Sequence, residues 1–140
     1  MRKVRLGKTE LRVSRIGFGA LPIQKVESDS AVSVVRHAIS KGINFFDTAR
    51  ACSTSEANLG KALSGLEDDV IIATKAIYKD MDQLVEDFET SYKYLGRKFI
   101  DLYQFHIVNY QEELAAIIKP GGALDFLKEE KEKGRIKHIG

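Results

Sequence analysis

The feature that most constrains this chain is a regular alternation of short apolar runs with longer amphipathic stretches. Four runs, Arg15–Gly19, Ile43–Asp47, Val70–Thr74 and Phe99–His106, are short and rich in β-branched or aromatic residues, as strands are. Between them lie segments with apolar residues at helical spacing, such as Ala31, Val34, Val35, Ala38 and Ile39, or Leu84, Val85, Phe88, Tyr92 and Leu95. Ser28 or Asp29 is the expected cap of the first helix, which Gly42 ends. Ser53-Thr54-Ser55-Glu56 has capping-box spacing for a second that runs to about Ser64, and Asp80 with Gln83 opens the third. A short helix over Gln111–Ile118 is broken by Pro120-Gly121-Gly122, a charged helix follows to about Lys133, and Arg135–Gly140 reads as the start of a fifth strand. Ahead of all this, Lys3–Leu6 and Leu11–Ser14 flank Gly7-Lys8-Thr9-Glu10 as a β-hairpin.

Strands joined by helices of this length form right-handed parallel βα units, so the chain is α/β, with about four such units in a single domain spanning 1–140. Two architectures remain open at this point: an open doubly wound sheet or part of a (β/α)8 barrel. The glycine-rich dinucleotide fingerprint that would favour the first is missing, since Gly17-Phe18-Gly19-Ala20 supplies two glycines but no third.

Composition removes several function classes. The longest apolar runs, such as Val70-Ile71-Ile72-Ala73, are too short to cross a bilayer, and Met1-Arg2-Lys3-Val4-Arg5 lacks a signal peptide's apolar segment, so a cytoplasmic protein without a membrane partner is expected. One cysteine, Cys52, excludes an internal disulfide, a cysteine-rich zinc site and an iron–sulfur cluster, and no metal is expected. The 22 basic and 20 acidic residues are interspersed, which argues against nucleic acid. Arg2, Lys3, Arg5, Lys8, Arg12 and Arg15 do cluster, but without stacking aromatics they read as a solvated rim.

In a parallel sheet all strands end on one side, so polar residues at successive ends can converge. Asp47, Lys75 and His106 each close an apolar run, and period-two alternation sets them on equivalent faces with Phe45, Ala73 and Gln104. A carboxylate–ammonium pair beside an imidazole is equipment for proton transfer.

At these residues the sequence resembles the aldo-keto reductase family. The resemblance is carried by Arg15-Ile16-Gly17-Phe18-Gly19, by Ile43-Asn44-Phe45-Phe46-Asp47-Thr48-Ala49-Arg50 with Ser55-Glu56 and Leu59-Gly60-Lys61-Ala62-Leu63, by Ala73-Thr74-Lys75, by Ile100-Asp101-Leu102-Tyr103-Gln104-Phe105-His106, and by Gly134–Gly140. Pro22-Ile23-Gln24 and Pro120-Gly121-Gly122-Ala123-Leu124 look most like bacterial and archaeal members with a carboxy-terminal iron–sulfur extension, whose cysteine cluster is absent here. The resemblance implies a partial (β/α)8 TIM barrel, its amino-terminal half, with the hairpin closing the bottom. It also implies an NADPH-dependent oxidoreductase that reduces a small-molecule carbonyl. In that scheme Asp47 holds Lys75, Lys75 acidifies a tyrosine, His106 orients the carbonyl oxygen, and Gly19, Ala20 and Asp47 adjoin the cofactor.

Two departures follow. Cys52 stands where the family has its catalytic tyrosine, and a thiol one bond beyond Cβ donates weakly and reaches less far than a phenol. Tyr78 is a possible substitute acid, although spacing alone does not bring its hydroxyl to the site. A nearby lysine and a helix amino terminus can lower a thiol pKa from about 8.5 and make Cys52 a nucleophile. The second departure is length: a whole barrel needs about 250 residues. The expectation is therefore weak or absent turnover by this chain, with the exposed barrel edge covered by self-association or by a carboxy-terminal half. The alternative reading is a non-catalytic pseudoenzyme or assembly module.

Overall fold

The computed structural model describes residues 1–66 and 70–140. A hairpin, β1 (Lys3–Arg5) with β2 (Arg12–Ser14), precedes five strands: β3 (Phe18–Gly19), β4 (Phe45–Asp47), β5 (Ile71–Ala76), β6 (Ile100–Phe105) and β7 (Ile136–Ile139). Helices α1 (Ser28–Ser40), α2 (Ser55–Leu63), α3 (Met81–Leu95), α4 (Gln111–Ile118) and α5 (Ala123–Glu132) fill the crossovers, and a 3-10 turn covers Leu21–Lys25. The sheet order is β3-β4-β5-β6-β7 and every pairing in it is parallel. A doubly wound sheet reverses direction at a switch point, whereas here each strand adds beside the one before it. Consecutive order is the arrangement of a barrel wall, and it settles the choice that composition left open.

The core lies between this sheet and its helices. Phe46, Ile72, Thr74 and Tyr103 are fully buried, and the Tyr103 ring meets Phe88 of α3 edge-on at 5.3 Å between centroids. The alternate residues Phe45, Ile71, Lys75, Leu102, Gln104 and His106 are only partly covered. Strand alternation thus separates a helix-packed face from one that carries the polar strand ends.

The hairpin sits at the amino ends of the strands. Asn44, just before β4, binds it three ways: its Oδ1 accepts from Ser14 N–H at 2.6 Å, its own N–H donates to Ser14 Oγ at 3.1 Å, and its Nδ2 donates to Arg12 O at 2.9 Å. All six basic residues of the first fifteen positions are exposed, as a solvated rim requires.

Several local expectations change. The first strand pairs only at Phe18–Gly19 and not from Arg15, because Arg15 N–H still bonds to Arg2 O in the hairpin and Ser14 Oγ turns onto Ile16 O at 2.7 Å. Helix α1 is preceded by Glu27, with no side-chain cap from Ser28 or Asp29; those two side chains instead receive Lys61 Nζ. The capping box expected at Ser53–Glu56 does not form, since Glu56 is turned into the core. The expected Asp80 cap is present, its Oδ1 accepting from Gln83 N–H at 2.8 Å.

Helices α2 and α3 touch at Gly60. A Cβ there would lie 2.0 Å from Tyr94 O, a backbone atom that cannot rotate away. We expect Gly60→Ala to lower stability by about 1–3 kcal/mol, read as a reduced urea midpoint, even though alanine is the better helix former. A stability gain of the size helix propensity alone implies would contradict this packing.

Candidate functional site

The carboxyl ends of β3 to β6 open on a cleft of about 320 Å³ lined by Gly19, Ala20, Leu21, Asp47, Thr48, Ala49, Ala51, Cys52, Lys75 and His106. Asp47, Cys52, Lys75, His106, Gly19 and Ala20, assigned to the site from sequence, are all among them. Register explains the convergence: Gly19 pairs with Asp47, Asp47 with Ala73, and Lys75 with Gln104, two residues before His106.

Lys75 is held at three points. Its ammonium donates to Asp47 Oδ1 at 2.7 Å, Asp47 Oδ2 at 2.8 Å and Thr48 O at 2.8 Å. An ammonium has three N–H bonds, so all its donors are engaged and the group offers the cleft a fixed positive charge. The Lys75 side chain is 17% exposed against 45% for Asp47, which places the carboxylate nearer solvent than the cation it anchors.

His106 follows β6, with its N–H donating to Ala76 O at 2.8 Å. Burial holds the imidazole below the usual histidine range, the Lys75 charge adds to this, and Asp47 opposes it. The ring is therefore neutral at neutral pH and keeps one N–H to donate, as orienting a carbonyl oxygen requires.

Cys52 lies in the turn between β4 and α2, its N–H donating to Ala49 O at 2.9 Å and its carbonyl accepting from Ser55 N–H at 2.8 Å. A buried cluster shapes this turn. Arg50 pairs with Glu56, Glu56 Oε1 accepts from Thr74 Oγ1 at 2.6 Å, and Arg50 also donates to Ser53 O at 2.8 Å while its guanidinium lies 5.0 Å from the Tyr94 ring centroid. Ser55 Oγ donates to Ala20 O at 2.8 Å and so accepts from Thr48 Oγ1 at 2.9 Å. None of these supports was assigned from sequence, although Arg50, Ser55 and Glu56 stand in the motif that carried the family resemblance; the spacing of Ser53-Thr54-Ser55-Glu56 read as a capping box.

Tyr78 is not among the cleft residues. Its ring packs edge-on against Phe105 at 6.4 Å between centroids, on the core side. Ala20 borders the cleft, but its methyl is buried, its N–H donates to Asp47 O and its carbonyl is engaged, so it shapes the wall without a free polar group. At Gly19 an added Cβ would meet nothing within 4 Å, which leaves open space beside its backbone. No group of potential metal ligands occurs among the described residues, and no helix there is long and apolar enough to cross a membrane.

The chain is 34% identical to L-galactose dehydrogenase of Arabidopsis thaliana over 96% of its own length and 46% of that protein's. It superposes on an aldo-keto reductase of Bacillus halodurans in its holo form with a TM-score of 0.82 at 28% identity, covering 100% of this chain and 50% of that one. An aldo/keto reductase of Brucella melitensis gives a TM-score of 0.75, also at 28% identity, over 99% and 51%. The chain thus spans about half the length of the relatives it matches, and those solved structures show its sheet to be part of a (β/α)8 barrel. The family model described as the aldo/keto reductase family matches residues 15–140, and the chain belongs to that family.

Proposed function

We propose that the cleft is the carbonyl-reduction site of an NADPH-dependent oxidoreductase, to which this chain contributes the amino-terminal half of the barrel. The observation that carries this reading is the Lys75 ammonium locked on Asp47 and Thr48 O beside a neutral His106 in one cleft. The pocket's about 320 Å³ suits the reacting end of a nicotinamide cofactor together with a small aldehyde or ketone. Gly19 leaves space for close approach along one wall, while Lys75 and His106 are the only cationic or imidazole groups among the lining residues, so the described cleft offers nothing further for the cofactor's phosphates.

Bound NADPH would supply the hydride. The chain's own residues would do the rest: the neutral imidazole donates its N–H to the carbonyl oxygen and fixes its direction. The Lys75 charge, held by Asp47, favours negative charge developing on that oxygen. A proton must still reach the oxygen, and at that step the Cys52 thiol stands where the family has a phenol. The thiol is a weak donor on a short arm, so protonation falls to water and the chemistry slows.

The pure chain is therefore expected to oxidise NADPH with a simple aldehyde slowly or not at all, followed by loss of nicotinamide absorbance. Rapid turnover by the isolated chain would overturn this. A second reading, a non-catalytic assembly module, is favoured by the same cysteine. Either way, the partly exposed sheet face bearing Phe45, Ile71 and Leu102, and the outer strands β3 and β7, paired on one side only, call for a cover. Self-association or a carboxy-terminal half would supply it. The proposal takes the protein to be cytoplasmic, with neither a nucleic-acid nor a membrane partner.

A further inference from the structure

Two non-glycine residues among those described have a left-handed backbone: Ser53 at φ 35° and Ile107 at φ 58°. Each directly follows a residue that lines the cleft, Cys52 in one case and His106 in the other. Ser53 is a short polar residue with local support, since its carbonyl accepts from Arg50 and its Oγ donates to Gln24 Oε1 at 3.0 Å. Ile107 has no such excuse. A β-branched side chain is among the least suited to this region, where Cβ crowds the backbone carbonyl.

The chain around Ile107 shows what holds it there. On one side His106 N–H is fixed to Ala76 O at 2.8 Å, and Phe105 N–H to Gly140 O at 3.0 Å. On the other, Glu113 Oε2 accepts from Asn109 N–H at 2.7 Å and Tyr110 N–H at 3.0 Å, which sets the start of α4. Only Ile107 and Val108 lie between these two anchors, so the change of direction from strand to helix falls on them. Ile107 is 54% exposed and does not line the cleft, so burial of its own apolar surface is not what fixes the strained conformation. Strain of this kind persists where the surroundings over-determine it, and it collects at functional sites.

We infer that the left-handed turn at position 107, imposed by its two anchors, sets the His106 imidazole in the cleft beside Lys75 and Asp47, which makes this turn a positioning element of the cleft. It acts through His106 and touches no substrate. The inference deepens the proposed carbonyl site and rests on His106 being its orienting group, but its test needs neither cofactor nor substrate.

The test is the titration of the His106 imidazole by NMR in the chain itself, assigned by the signal lost in His106→Gln. The wild-type ring is expected to titrate below the ordinary histidine range, because burial and Lys75 act on it and outweigh Asp47. Ile107→Pro forbids the left-handed turn, so the midpoint should rise toward the ordinary histidine range, whereas Ile107→Gly keeps the turn without strain and should keep the wild-type midpoint. Ile107→Asn, which tolerates the left-handed region, should keep the wild-type midpoint. An unchanged midpoint in folded Ile107→Pro overturns the inference, as does an equal rise in Ile107→Gly or Ile107→Asn. If these shifts occur and a completed barrel still fails to reduce carbonyls, the positioning stands and the functional reading falls.

Discussion

Cys52→Tyr, made in a barrel completed by the carboxy-terminal half of a family member, is expected to raise NADPH-dependent aldehyde turnover by about 10²–10⁴-fold. That is the range a positioned general acid contributes. The surroundings for a phenol are already in place: position 52 lines the cleft with Lys75, and the ammonium faces it as a fixed charge, its three donors taken by Asp47 and Thr48. A positive charge close to a phenol lowers its pKa and makes its proton easier to give. The thiol of Cys52 sits in the same turn but ends one bond beyond Cβ. The gain should appear in kcat more than in KM, because the proton is transferred only in the reacting complex. Unchanged turnover would favour the assembly-module reading.

Arg50→Met is expected to destabilise the fold by about 3–5 kcal/mol, the usual consequence of leaving one member of a buried ion pair alone. The Glu56 side chain is fully buried, and its acceptors are taken by Arg50 and Thr74. Removing the guanidinium strands a carboxylate in the core between α2 and β5. Adding Glu56→Gln should recover much of the loss, since a neutral amide can keep the Thr74 bond, and the two changes should be strongly non-additive. Urea unfolding of the two single variants and the double variant measures this directly. A loss below about 1 kcal/mol, the value for an exposed pair, would show that Glu56 is not sealed as described. The pair matters to the cleft because Arg50 also donates to Ser53 O and so ties the Cys52 turn to the core.

How much of this could be read from the chain depends on the range of the signal. Asp47, Lys75 and His106 were legible because each ends a strand and strand alternation has a fixed period, so their common face follows from counting. The consecutive strand order was not legible, since helices of this length serve a doubly wound sheet equally well; pairing had to be seen. Glu56 misled for a physical reason. Three residues after Ser53 it has the spacing of a capping partner, but Thr74 and Arg50 offer buried partners that local sequence cannot reveal. The third acceptor of Lys75 was invisible for a simpler reason, being the backbone carbonyl of Thr48, which has no side-chain signature. Cys52 entered the site through family resemblance alone, because no periodicity governs a turn between strand and helix.

In the proposed function the charge of Lys75, fixed on Asp47, drives the chemistry of this cleft. The most direct measurement is the rate of NADPH-dependent aldehyde reduction by the completed Cys52→Tyr barrel with and without Lys75→Met, in protein shown by its circular dichroism to be folded. Removing the ammonium is expected to return turnover to the level seen before the tyrosine was introduced. Turnover undiminished in the folded Lys75→Met variant would contradict it, and the cleft would have to work without the ion pair at its centre.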